Sequence, residues 1–230
     1  MKKYHQTLPK KLSKNDQVNK LLSFRFYNGQ DSLKLLYLFI TVSLVGAVVS
    51  SLYTTDTRWM NWHISRLGEG GKFSSIIFNI TVLVSATIMF MMAISLSEKV
   101  FNINSDLNID IKRANLIIYR ALTAATLCLI GVAMFPFDRY PAIHNICGYS
   151  MLFIYLALCT YAPKFLPIFS KNFYLYSKFV ILLVIICYIL YIIFQVVTLL
   201  QIELIIFTFM YGWFLLFIKG IYKNCDSYVK

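Results

Sequence analysis

Residues 179–218 form a run of forty positions in which Glu203 is the only charged residue. As one α-helix this run would be about 60 Å long at 1.5 Å per residue, twice the roughly 30 Å hydrocarbon core of a bilayer. It either crosses a membrane twice or crosses once at a steep tilt, and hydrophobic mismatch disfavours the second arrangement. Polar side chains at Gln195, Thr198 and Gln201 divide it. We read it as a tight helical hairpin, with spans at 179–197 and 203–218.

Four further apolar runs precede it, at 35–53, 76–96, 115–135 and 143–162. Most are long enough to cross a bilayer as helices. The expected fold is all-α, an integral membrane bundle of six transmembrane helices. A basic tail over 1–31, a transmembrane domain over 32–221 and a C-terminal tail over 222–230 complete the organisation. Only 14% of the 230 residues are charged and the mean hydropathy is +0.66. Soluble domains carry about a quarter charged residues. The segment 97–114 holds Asn, Asp and Ser turn formers and reads as a connector.

The net charge of +12 raises nucleic acid as a partner, and its distribution argues against one. Lys and Arg sit at the edges of the apolar runs and form no basic face or stripe. Their asymmetry orients the bundle instead. With the N-terminus inside, eighteen Lys and Arg fall on the inner side, and only Arg58, Arg66, Lys72 and Arg139 fall outside. The positive-inside rule therefore gives N-in and C-in. Membrane lipids are the expected partners, and the N-terminal lysines suit an anionic lipid surface.

The polar start is too long for a cleavable signal peptide, and no small-x-small site follows the first apolar run, so that helix is expected to stay in the protein. Four of the five cysteines, Cys128, Cys147, Cys159 and Cys187, lie within apolar runs, with Cys225 beyond them. None forms a CxxC or Cys/His cluster, so neither a disulfide framework nor a zinc site is expected.

The connections on the outer side hold the remaining chemistry. The first runs from Thr54 to Phe73 and contains Trp59, Trp62, His63, Ser65, Arg66, Glu69 and three glycines. Tryptophans suit the membrane interface, and glycines permit a sharp turn. The second contains Pro136, Asp138, Arg139, Pro141 and His144. Glu203 stands at the outer edge of the last span, where a carboxylate costs a few kcal/mol unless a partner meets it. Sidedness thus gathers His63, Arg66, Glu69, Asp138, His144 and Glu203 in one compartment. We expect the first outer loop to fold over the ends of the third, fourth and sixth helices, bringing His63 and Ser65 near Asp138 and His144. In that arrangement Asp138 would orient an imidazole by accepting its N–H, and Arg66 or Arg139 would hold an anionic head group.

The segments NWHISRLGEGGKFSSIIFNITVLVSA and GVAMFPFDRYPAIHN resemble the two signatures of a bacterial and archaeal membrane-protein family, domain of unknown function 998. The resemblance covers roughly residues 35–218. Its members have about six helices, an Ile-Ser-x-Leu-Gly segment after the first span and a Phe-Pro-x-Asp…His segment after the third. It implies that Ile64, Ser65, Leu67, Gly68, Asn79, Pro136, Asp138 and His144 are the positions that carry over, in a multi-pass protein of a prokaryotic plasma membrane. It implies no reaction.

Three functional classes follow from these residues. The first is a non-enzymatic accessory or interaction protein whose outer polar site, with Ser65, Arg66, Glu69, Arg139 and Glu203, binds lipid or a protein partner. The second is a membrane-embedded enzyme acting on lipid or a lipid-linked substrate through His63, Asp138 and His144, a set that would also suit a divalent metal ion. The third is a small transporter, weakened by the lack of paired intramembrane charges and broken helices.

Overall fold

The computed structural model describes residues 31–103, 109–165 and 169–228. Six helices carry the chain: α1 (Asp31–Tyr53), α2 (Phe73–Ile103), α3 (Ile109–Met134), α4 (Pro141–Phe165), α5 (Lys171–Ile189) and α6 (Leu199–Tyr228). Six spans of at least 22 residues follow these helices, the fifth running past the end of α5 to Phe194, with mean hydropathy between 1.5 and 2.6, long and apolar enough to cross a membrane. Large side chains point away from the bundle along these spans, among them Leu44, Val48, Phe153, Ile185, Ile192 and Phe194. Apolar surface on this scale marks a lipid-facing protein.

Local sequence explains the helix boundaries. Pro141 opens α4, where its missing N–H costs nothing. Ser170 caps α5 by accepting from the Phe173 N–H at 3.4 Å. The hairpin expected in the forty-residue run is present. α5 loosens into a π-helical turn over Leu190–Phe194 and stops at Gln195, whose φ of 51° is left-handed. α6 then starts from a reciprocal capping box: Thr198 N–H donates to Gln201 Oε1 at 2.9 Å, and Gln201 N–H donates to Thr198 Oγ1 at 3.3 Å.

One segment differs from the sequence reading. The 97–114 connector is largely helix, since α2 continues to Ile103 and α3 begins at Ile109; residues 104–108 lie outside the described residues. The last apolar span ends at Lys223, and α6 continues as helix to Tyr228. Hydropathy marks only the part of a helix that lipid covers, and a helix continues into water until its backbone meets a breaker. The basic tail over 1–30 also lies outside the described residues.

Helices α1 to α4 pack in chain order, each against the next, while α6 leans on α1, α2 and α5. Three serine pairs bind α1 to α2 at successive depths. Ser32 Oγ meets Ser95 Oγ at 2.8 Å, Ser43 Oγ meets Ser85 Oγ at 3.0 Å, and Ser50 Oγ donates to the Ser74 carbonyl at 2.8 Å. Apolar contact gives little net drive between helices in lipid, so such bonds and close packing take its place. Gly131 is an example of the packing, since a Cβ there would strike Cys147 Sγ on α4. The core around α6 is aromatic. Trp213 is fully buried, lies parallel to Phe217 at 5.0 Å, meets Tyr155 edge-on at 5.8 Å, and donates its indole N–H to Ser177 Oγ at 2.8 Å.

Candidate functional site

The connections after α1, α3 and α5 meet at one end of the bundle, here called the loop end. The first is built from two 3-10 turns, Thr57–Asn61 and Ile64–Gly68. Asp56 starts the first turn by accepting the Arg58 N–H at 3.0 Å and pairing with the Arg58 guanidinium at 2.7 Å. That pairing holds the Asp56 carboxyl well below the usual carboxylate range. The loop then folds inward and is pinned at four points. The Leu200 N–H at the start of α6 donates to the Trp62 carbonyl at 2.7 Å, and Glu203 Oε2 accepts the Ile64 N–H at 2.6 Å. Asn79 Nδ2 donates to the Gly68 carbonyl at 3.3 Å, and Asp138 Oδ2 accepts the Gly70 N–H at 3.1 Å. Gly70 and Gly71, with φ of 81° and 63°, make the left-handed turn that returns the chain to α2.

Pinning places His63, Ser65 and His144 in one continuous hydrogen-bonded row. His144 Nδ1 lies 2.9 Å from the Phe135 carbonyl oxygen, and His144 Nε2 lies 3.0 Å from Ser65 Oγ. Ser65 Oγ in turn lies 2.8 Å from His63 Nδ1. A carbonyl only accepts, so His144 carries its proton on Nδ1, and in the neutral ring Nε2 is bare. The serine proton then points at His144 Nε2, and Ser65 Oγ accepts from His63 Nδ1–H. In a neutral His63 this leaves Nε2 bare as well. The Phe137 ring stands edge-on to both imidazoles, at 5.1 Å from His63 and 5.8 Å from His144.

Charge is distributed around this row rather than along it. Burial, followed by the neighbouring His144 and Arg66, pushes the His63 pKa down to about 4, so the ring is neutral at pH 7. Burial raises the Glu69 carboxyl above its usual range, with Arg66 opposing. Arg66 lies over the Trp62 ring at 4.5 Å, with Nε 3.6 Å from Glu69 Oε2 and 4.0 Å from Asp56 Oδ2. Four buried side-chain atoms in this loop lack a hydrogen-bond partner: Trp59 Nε1, His63 Nε2, Arg66 Nε and Glu69 Oε1. Buried polar groups are nearly always paired, so a concentration of exceptions marks a strained or functional place.

A pH dependence follows from His63. Its folded pKa lies below its unfolded value near 6.5, so the unfolded state binds the extra proton first as pH falls. The stability of the closed loop is therefore complete above about pH 6.5 and declines from there towards pH 4. The protection factors of the Ile64 and Leu200 amides, corrected for the intrinsic slowing of exchange as pH falls, are expected to drop over that window, and His63→Gln is expected to flatten the response. Protection factors that stay constant between pH 7 and 5 in the wild type would contradict this.

The sequence residues fall into three groups. His63, Ser65 and His144 meet directly. Glu203, Asn79 and Asp138 bind the loop backbone, so Asp138 does not orient an imidazole; the Phe135 carbonyl does, because Asp138 is already drawn to the Gly70 N–H. Arg66 sits between two carboxylates and is not held open for an anionic head group, whereas Arg139 is exposed beside Gly71. His63, Asp138 and His144 do not form a metal-ligand set either. Both His144 nitrogens and His63 Nδ1 are engaged, and no group of three or more His, Cys, Asp or Glu is placed to hold a metal among the described residues. Sequence reasoning missed the Phe135 carbonyl, which no side-chain motif reports, and the imidazole-contacting ring of Phe137, which the Phe-Pro-Phe-Asp string places beside Asp138.

Fold and site together define a multi-pass α-helical membrane protein with a buried Ser/His row under a stapled loop at one end of its spans. No protein-family model, curated protein or solved structure matches the chain.

Proposed function

We propose that this chain is a membrane-embedded enzyme that acts on lipid or lipid-linked esters, with Ser65 as nucleophile and His144 as its general base. The observation that carries this reading is the order Ser65 Oγ, His144 Nε2, His144 Nδ1, Phe135 carbonyl, with separations of 3.0 and 2.9 Å. A nucleophile within hydrogen-bond reach of a base, and a base oriented by a third group, is the general signature of nucleophilic catalysis. Ser65 Oγ forms a bond to the acyl carbon or phosphorus of an ester while its proton passes to His144 Nε2. The leaving oxygen takes that proton from the imidazolium, and water repeats the sequence to release the serine. His63 is a positioning residue whose Nδ1–H steadies the developing charge on Ser65 Oγ.

A fluorophosphonate probe applied to the reconstituted protein tests this directly. The expected result is covalent modification at Ser65, located by peptide mass and lost in Ser65→Ala. No modification of a folded wild type would overturn the enzymatic reading. It would favour the second reading, a non-enzymatic accessory protein that binds lipid or a protein partner. One observation supports that reading: the Ser65 hydroxyl already has a partner on each side, within a loop fixed to α2, α6 and the second loop.

We place the loop end outside and both termini in the cytoplasm of a prokaryotic plasma membrane, because eighteen basic residues against four favour that orientation. Reporter fusions after Lys72 and Arg139 are expected to signal the outside, and fusions after Lys112, Lys171 and Lys223 the inside. A cytoplasmic signal at Lys72 or Arg139 would reverse the orientation.

A further inference from the structure

Two buried acceptors face each other beside the Ser/His row. The hydrogen-bond order makes His63 Nε2 a bare nitrogen, and it lies 4.0 Å from Glu69 Oε1. Neither atom has a hydrogen-bond partner, and the two side chains are 8% and 15% exposed. Two acceptors cannot bond each other while Glu69 is ionised. A donor atom carrying two hydrogens, about 2.8 Å from each acceptor, would bridge them at an angle near 90°, within the range that N–H donors tolerate.

Local charge selects the kind of donor. Beside a neutral His63, the Glu69 carboxylate is the charged member of this acceptor pair, and Arg66 Nε approaches its other oxygen, Oε2, at 3.6 Å. A cation with at least two N–H donors answers both the hydrogen bonds and the charge. On the exposed rim, Arg139 stands beside Gly71, and Lys72 Nζ donates to Thr55 Oγ1 at 3.4 Å. These two cations suit an anion attached to the same ligand.

We propose that His63 and Glu69 bind a primary ammonium group, supplied by the head group of an aminoalkyl phospholipid whose phosphate meets Arg139 and Lys72. This rests on the reading of the loop end as the place where the protein acts on lipid, and it names the class of lipid. Carboxylate and imidazole each accept one ammonium N–H. Charge-assisted bonds of this kind are about twice as strong as neutral ones. A quaternary ammonium presents no N–H and forfeits both.

The test uses the full chain in nanodiscs of phosphatidylcholine with phosphatidylethanolamine added, read by native mass spectrometry as the lipid retained. The two lipids share a phosphate and differ in N–H donors. The wild type is expected to retain phosphatidylethanolamine roughly tenfold over phosphatidylcholine, the effect of one charge-assisted hydrogen bond. Glu69→Gln is expected to bring the ratio close to parity while the protein stays folded, because the amide can donate to His63 Nε2. Equal retention by the wild type would overturn the proposal, as would a preference that survives Glu69→Gln. If dissolved ethanolamine abolishes the preference at millimolar concentration, the ammonium site stands and the lipid source is overturned. Fluorophosphonate labelling in the same nanodiscs separates the two readings: unlabelled Ser65 with an intact lipid preference removes the nucleophile and leaves the ammonium site.

Discussion

Replacing His144 by alanine is expected to slow fluorophosphonate modification of Ser65 by roughly 10²- to 10⁴-fold, the contribution of a positioned general base. The size of the effect follows from the geometry. His144 Nε2 is the acceptor of the serine proton at 3.0 Å, and its tautomer is set by the Phe135 carbonyl at 2.9 Å. Removing the ring leaves Ser65 with only a donor, His63 Nδ1–H, and a hydroxyl that accepts without donating is a poor nucleophile. His63→Ala acts on the other side of the oxygen, and its effect is expected to be smaller. A His144→Ala protein that labels at the wild-type rate would show that the 3.0 Å contact is structural only. Time courses with site-resolved peptide mass, on protein that elutes as a folded species, give the answer.

The second large effect is on stability. Trp213→Ala is expected to cost about 3–5 kcal/mol, the range for truncating a large buried aromatic. Trp213 has no exposed surface and touches Phe173, Phe214, Phe217 and Tyr155, so its removal opens a void shared by α4, α5 and α6. In lipid that void is felt chiefly as lost close contact, since transfer from lipid to protein interior gains little. Trp213→Phe keeps most of the contact and removes the bond to Ser177. Ser177 retains its bond to the Phe173 carbonyl at 3.0 Å, so the cost there is expected near 1 kcal/mol. Unfolding midpoints in mixed micelles would order the two variants. Equal midpoints for wild type and Trp213→Ala would contradict the packing account.

The contrast between these residues shows which parts of the molecule a sequence reveals. The spans were legible because lipid imposes one simple demand, length of apolar helix, on every one of them. The break between α5 and α6 was legible from Gln195 and Gln201, although the Thr198-x-x-Gln201 capping box also states it in sidechain terms. The polar helix ends on either side of residues 104–108 were read as a connector because hydropathy falls before the helix does. At the loop end, proximity could be reasoned from a short second loop and a Trp-rich first one. The partners could not. Asp138 and Glu203 both chose backbone N–H groups, and the group that orients His144 is a carbonyl. Every residue has the carbonyl and all but proline the N–H, so these groups leave no trace in composition or spacing. The three serine pairs of α1 and α2 were hidden for a related reason: serine is common in apolar helices, and only helix register tells which serines face one another.

Glu203 ties events at opposite ends of synthesis. Its partner, the Ile64 N–H, lies 139 residues earlier in the chain. The first loop leaves the ribosome long before the helix that holds it down. Until α6 arrives, Ile64 and Trp62 present unmatched backbone groups, and Glu203 would enter the bilayer edge with nothing to offset its desolvation, a penalty of a few kcal/mol. Entry of the last helix and closure of the first loop therefore complete each other in a single assembly step. A chain stalled before residue 199 would hold five spans in the membrane with an open loop, its Ile64 N–H and Trp62 carbonyl still without the partners that α6 brings.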